Sequence, residues 1–198
     1  MSFEIGPASK ADAPALTEVF LAAFDDDFNR TMFPPTPDVR AFASENLLTS
    51  DNENEIILKA TASDDPSTMV AFAKWIRPGK AHTDADHPQG AVWPASSDSA
   101  LCDLFFGTMS QHHKELMDGR PHYYLEILGV HPNYQRRGLA SRLLKWGLER
   151  ADQDGVEVYL SSSPEGKPMY EKYGFQSQNS FSPFPGYVQL NMIRPVQQ

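Results

Sequence analysis

A chain of 198 residues, 40% hydrophobic and 22% charged, carries enough apolar side chains for one globular core. Its formal charge of −9 excludes the broad basic face that nucleic-acid backbones require, and no run approaches the roughly 18 consecutive apolar residues of a membrane span. The start, Met1 to Lys10, lacks the basic and apolar regions of a secretion signal, so the expectation is a single-domain cytoplasmic protein, monomer or homodimer, with neither nucleic acid nor membrane as partner. The one cysteine, Cys102, lies beside Leu101 and Leu104 and reads as a buried residue rather than a nucleophile.

Phe3 to Ile5 predicts a strand. Ser9, with Asp12 three residues on, resembles a capping box opening a helix whose apolar side carries Leu16, Val19, Phe20 and Ala23. The acidic run Asp25, Asp26, Asp27 and the prolines at 34, 35 and 37 predict a loop, and Val39 to Leu48 a second helix. Glu55 to Ala62 and Thr68 to Ile76 are β-branched-rich runs around the turn-prone Ser63 to Ser67, which together predict a hairpin. Pro78 to Ser99 reads as an irregular excursion, and Leu101 to Met117 regains helical spacing until Gly119 and Pro121 stop it.

Tyr123 to Val130 predicts another strand. Gly138 to Gln153 forms the most amphipathic segment of the chain, with Ala140, Leu143, Leu144, Leu148 and Ala151 on one side. Val156 to Leu160 reads as a strand, Pro164 to Tyr173 as a short helix closed by Gly174, and Tyr187 to Ile193 as a final strand. Strands alternating with helices, plus one hairpin, indicate a mixed sheet covered by helices, of the α/β or α+β class.

The junction from Val130 to Ala140 carries the chemistry. It runs from an apolar strand through a Pro132-Asn133 turn straight into the amphipathic helix. The first amides of a helix have no internal acceptor and its dipole is positive there, so a pyrophosphate would satisfy donors otherwise left to water. Gly138 and Ala140 permit close approach, and Arg136 and Arg137 supply charge. The same residues could equally form an ordinary solvated helix start.

Gln135-x-x-Gly138-x-Ala140 after Val130-His131-Pro132 closely resembles the Q/R-x-x-G-x-G/A motif of the GNAT superfamily of CoA-dependent N-acyltransferases. The resemblance runs from Tyr123 to Phe175 and includes Tyr170-Glu171-Lys172-Tyr173-Gly174-Phe175 at the expected distance downstream. Leu160-Ser161-Ser162-Ser163-Pro164, leading to Met169-Tyr170, also looks like puromycin-type acetyltransferases and their fungal relatives. The family order, ending in two strands, accommodates the predicted elements, with Leu101 to Met117 as an extra helix. The resemblance therefore implies a GNAT-like mixed, mostly antiparallel central sheet flanked by helices.

It further implies acetyl-CoA as co-substrate and a small-molecule primary amine as acceptor. The pantetheine arm would lie along the backbone of Leu128, Gly129 and Val130, and the phosphates over Gln135, Arg136, Arg137, Gly138, Leu139, Ala140 and Ser141. Gly129 is also readable as a bulge glycine, which would open the sheet for that arm. Tyr170 occupies the position of the family's acid, and a phenol with pKa about 10 can protonate a thiolate of similar basicity. Tyr173 reads as a packing residue. Glu126 is the candidate base, on a strand face shared with Tyr124, Leu128 and Val130, although a solvated or ion-paired carboxylate fits equally. Ser163 could bond the pantetheine or a water, or cap the next helix.

The chain departs from its relatives where Ser161 replaces a frequent Glu and Ser163 a common Asn. Gly166 stands where the family is usually small, as close approach of the cofactor would require. Phe28, Phe33 and Trp93 are candidates to line the acceptor pocket. His82, Asp84, Asp86 and His87 lack a regular ligand frame, and adjacent His112 and His113 point apart on a helix, so no metal is expected. No Gly-x-Ser-x-Gly elbow points to a hydrolase. The second reading is a non-catalytic acyl-CoA-binding sensor or interaction module.

Overall fold

The computed structural model describes residues 2–49, 52–79 and 92–197; the His82, Asp84, Asp86 and His87 cluster lies outside them. Among the described residues, seven strands form one sheet: β1 Phe3–Pro7, β2 Glu55–Ala62, β3 Asp65–Ile76, β4 His122–Val130, β5 Glu157–Ser162, β6 Gln176–Phe184 and β7 Tyr187–Arg194. Their spatial order is β1-β2-β3-β4-β5-β7-β6, and every neighbouring pair is antiparallel except the central β4 and β5. The same described residues form six α-helices: α1 Ala13–Ala23, α2 Asp27–Met32, α3 Pro37–Phe42, α4 Ser99–Met117, α5 Leu139–Asp154 and α6 Lys167–Lys172. Among the described residues, no helix is long and apolar enough to cross a membrane.

Periodicity explains the layering. The apolar stripe of α5, from Leu139 through Leu143, Leu144, Leu148 and Ala151, covers one sheet face together with Tyr170 and Phe175. Leu16, Val19 and Phe20 of α1, Phe28 and Met32 of α2, and Cys102, Phe105 and Met109 of α4 cover the other. The indole of Trp75 in β3 is fully buried under α5 and donates to the Leu143 carbonyl at 3.3 Å. A Cβ at Gly147 would fall 2.5 Å from Trp75 Cε2, so only glycine lets helix and ring meet. Gly147→Ala should therefore lower stability by about 1–3 kcal/mol despite the better helix propensity of alanine. A urea midpoint equal to or above wild type would show that the helix simply moves away.

Several boundaries differ from expectation. The acidic run opens α2 instead of a plain loop, because Asp26 accepts from the Asn29 amide at 3.0 Å and caps the helix. The second predicted helix starts at Pro37 and widens into a π turn over Ala43–Leu47. β3 begins at Asp65, which shortens the hairpin loop to Ser63 and Asp64. The helix expected from Pro164 begins at Lys167, with Pro168 in its first turn, and Gly174 follows it at φ 88°. β6 was not delimited by pattern, since it is a mostly polar, exposed edge strand.

The feature that shapes the site is a bulge. β3 pairs Trp75 with Leu125 but Lys74 with Ile127, leaving Glu126 as the extra residue. Side-chain parity therefore switches at Glu126: Tyr123 and Leu125 pack on the α5 face, and so do Leu128 and Val130. Glu126 turns to Lys74 on the opposite side, so the expected shared face with Leu128 and Val130 is not formed. The bulge is also three residues before Gly129. That glycine answers a different need: a Cβ there would lie 2.6 Å from Phe72 Cε1.

Candidate active site

β4 and β5 pair only from His122/Glu157 to Leu125/Leu160, after which β5 continues alongside β7 to Ser162. From Glu126 to Val130, β4 keeps β3 on one side and, among the described residues, has no strand on the other. This split opens into a cavity of about 1180 Å³.

One end of the cavity is the strand-to-helix junction, where Gln135, Arg136, Gly138, Leu139, Ala140 and Ser141 form the wall. Gln135 is extended, while Arg136 and Gly138 are left-handed at φ 60° and 79°. Left-handed residues alternating with others fold the amides into a concave run suited to an anion. The first bond of α5 runs from the Arg142 amide to the Gly138 carbonyl at 3.1 Å, so the amides of Leu139, Ala140 and Ser141 lack helical acceptors. Holding a non-glycine residue left-handed costs about 1–2 kcal/mol, which Gly138 avoids and Arg136 does not. Gln135 Nε2 donates to the Val130 carbonyl at 3.3 Å and ties the loop to the strand. Arg137 departs from expectation: its guanidinium donates to the Asn133 carbonyl at 3.2 Å and lies 5.4 Å over the Tyr134 ring, outside the cavity wall.

Along the middle, Leu128, Gly129 and Val130 face Ser161, Ser162 and Ser163. Ser163 does not cap α6; its carbonyl accepts from the Gly166 and Lys167 amides at 3.2 and 3.3 Å, and the cap position falls on Gly166. A Cβ at Gly166 would lie 2.7 Å from Ser162 Oγ and 3.1 Å from the Tyr170 ring, so protein neighbours already account for its small size. Tyr170 is 8% exposed, packs edge-on to Phe175 with ring centroids 5.7 Å apart, and lines the cavity. Its hydroxyl has no hydrogen-bond partner among the described residues, and burial pushes its ionisation above the ordinary tyrosine range.

Glu126 also lines the cavity. The Lys74 ammonium lies 2.9 Å from Glu126 Oε2 and 3.1 Å from Glu55 Oε2, and is nearly buried. Burial acts to lower the Lys74 pKa, but Glu126 and Glu55 outweigh it and hold the ammonium above the usual lysine range. One cation between two carboxylates leaves the cluster with a formal charge of −1.

At the far end, Phe28 and Phe33 line the cavity, whereas Trp93 does not. Trp93 stacks on Phe106 at 5.2 Å and donates to Asp103 at 2.7 Å on the outer side of α4. Pattern reading missed Asp26, Glu165, Tyr187 and Gln189, all in this wall. The alternation Tyr187-x-Gln189-x-Asn191 on the last strand was the available signal, since three polar-tipped side chains share one face. Among the described residues, no group of three or more His, Cys, Asp or Glu could hold a metal ion.

Residues 103–194 match the profile of the acetyltransferase (GNAT) domain. Over that segment the chain is similar to GNAT acetyltransferases. The chain is 32% identical over 83 residues, 40% of its length, to an acetyltransferase of Stachybotrys chartarum. It spans 35% of that relative's length and 36% of an Escherichia coli relative's. Its fold is similar to a histone-acetyltransferase-related acetyltransferase from Corynebacterium glutamicum, with TM-score 0.66 and 22% identity over 100% of this chain and 98% of that one. It is also similar to the PaiA N-acetyltransferase of Thermoplasma acidophilum in complex with coenzyme A, with TM-score 0.60 and 17% identity over 98% and 99% of the two chains.

Proposed function

We propose that the protein is an acyl-CoA-dependent N-acetyltransferase that moves an acetyl group from acetyl-CoA to a primary amine of a small molecule. The reading rests on one observation above all: the split between β4 and β5 connects a left-handed amide loop to a buried phenol within one cavity. The diphosphate meets the amides of Gly138 to Ser141 and the Arg136 charge, and the pantetheine arm takes the strand position vacated beside Glu126 to Val130. The thioester then lies toward Tyr170.

In the reaction an N–C bond forms, the C–S bond breaks, and the proton lost from nitrogen balances the one gained by sulfur. An alkylamine of pKa about 10 is neutral in roughly one molecule per thousand at pH 7, a cost of about 4 kcal/mol. The net negative cluster of Glu126, Glu55 and Lys74 supplies a destination for that proton, with Glu126 as the group at the cavity wall. Tyr170 donates to the departing sulfur. Burial raises this phenol, so the matched basicity expected from the sequence gives way to hydrogen-bond donation that strengthens as negative charge collects on sulfur.

Calorimetry with coenzyme A tests the loop. Wild type should bind, and Gly138→Glu should bind at least about a hundredfold more weakly, because both the left-handed cap and the anion-facing amides are spoiled. Equal affinity for both proteins would refute the assignment.

A further inference from the structure

The wall beyond Tyr170 defines what kind of amine can enter, an inference that rests on the function just proposed. Its charge is one-sided: among the described cavity residues Arg136, at the phosphate end, is the only Lys or Arg. Glu126 is paired with Lys74 and Asp25 with Arg30, whereas Asp26 and Glu165 have no ion pair among the described residues. Both carboxylates act on Tyr187, whose phenol is raised by burial and then by Asp26 and Glu165. An ammonium gains from this field; a carboxylate on the same molecule would be repelled and would meet no cation.

The surface between the charges is aromatic. Tyr187 stacks on Phe28 with centroids 3.9 Å apart and planes 24° from parallel, and Phe105 meets Phe28 edge-on at 5.1 Å. Phe184 closes the group at 5.8 Å from Phe28, leaving Phe184 and Tyr187 half-buried at the cavity. Such walls favour a flat ring and a cation together.

Gln189 is the independent observation. It is 5% exposed and lines the cavity; its Oε1 accepts from the Tyr187 hydroxyl at 2.8 Å, while its Nε2 has no partner among the described residues. An amide donor at the cavity wall that no protein acceptor takes up is available to a ligand. We propose that the acceptor is an amine with an aromatic ring that bears a hydrogen-bond-accepting substituent and no carboxylate, its substituent bonded by Gln189 and its charge drawn in by Asp26 and Glu165.

The full chain, saturated with acetyl-CoA, is tested with tyramine, 2-phenylethylamine, phenylalanine and putrescine by thiol release. The kcat/KM for tyramine should exceed that for phenylalanine and putrescine at least tenfold. Gln189→Leu should erase the preference for tyramine over 2-phenylethylamine. Asp26→Asn should lower kcat/KM for both arylamines several-fold while keeping the helix cap, because asparagine also caps, and coenzyme A affinity should stay unchanged in both variants. If coenzyme A binds and putrescine or phenylalanine turns over equally well, the acceptor assignment falls and the acetyltransferase reading stands. If coenzyme A binds and no amine releases thiol, or if coenzyme A does not bind, both fall.

Discussion

Tyr170→Phe should lower kcat by about 10²- to 10⁴-fold and leave the dissociation constant for acetyl-CoA within about twofold of wild type. The ring, its edge-on contact with Phe175 and its fit against Gly166 are retained in phenylalanine; only the hydroxyl is lost. The pH profile adds a second readout. Because burial raises the phenol, Tyr170 should stay protonated past its ordinary value of 10.0. The wild-type rate should then rise as the amine loses its proton and show no descending limb from tyrosinate below that pH. Single-turnover measurements separate this from slow product release. Retention of full kcat in Tyr170→Phe would reduce Tyr170 to a packing ring and remove the acid from the mechanism.

Lys74→Met carries the largest expected cost to stability, about 3–5 kcal/mol, because it removes the nearly buried cation that lies between Glu55 and Glu126. In a chain of this size that corresponds to a melting temperature lower by about 10 °C. The sign of the pH dependence follows from the raised lysine. A group whose pKa is higher in the folded state contributes fully below its unfolded value, here 10.5, and loses that contribution as pH rises through the folded value. The Lys74 penalty should therefore be constant through neutral and mildly alkaline pH and shrink only above about 10.5. Adding Glu126→Gln to Lys74→Met should recover part of the loss, since it removes one of the two carboxylates that faced the lost ammonium. A melting temperature unchanged in Lys74→Met would mean that water already solvates the cluster.

Much of this was legible in the residues. The helix over α5 and the strand before it declare themselves through periodicity, and the Gln135 to Ala140 junction, where they meet, contributes its side chains and backbone to the cavity wall. What escaped pattern reading depends on other chains of contact. α2 forms because Asp26 caps it, and an aspartate is equally at home in a turn. β6 is polar over most of its length, bringing Phe181 and Phe184 to the core late in the strand, and is held by its pairing to β7. The bulge cannot be read from β4 alone, since an extra residue exists only relative to β3; this is why Glu126 was given the wrong companions. Trp93 and Arg137 carry the residue types of a site but are engaged elsewhere, by Phe106 and Asp103 and by Tyr134 and Asn133. The proposed acceptor wall, with Tyr187 and Gln189 from the last strand beside Phe28 from near the start, is a tertiary product from sequence positions some 160 apart.

One inserted residue thus governs the architecture of the cleft. The groove is cut out of main chain, from peptide groups that would otherwise zip to a neighbouring strand, and main chain is common to every amino acid. Side-chain exchange along that rim leaves the docking track in place, whereas the opposite wall is written wholly in side chains. Under the proposed function, descent with modification can accordingly retune the amine wall without disturbing the track assigned to the acyl carrier.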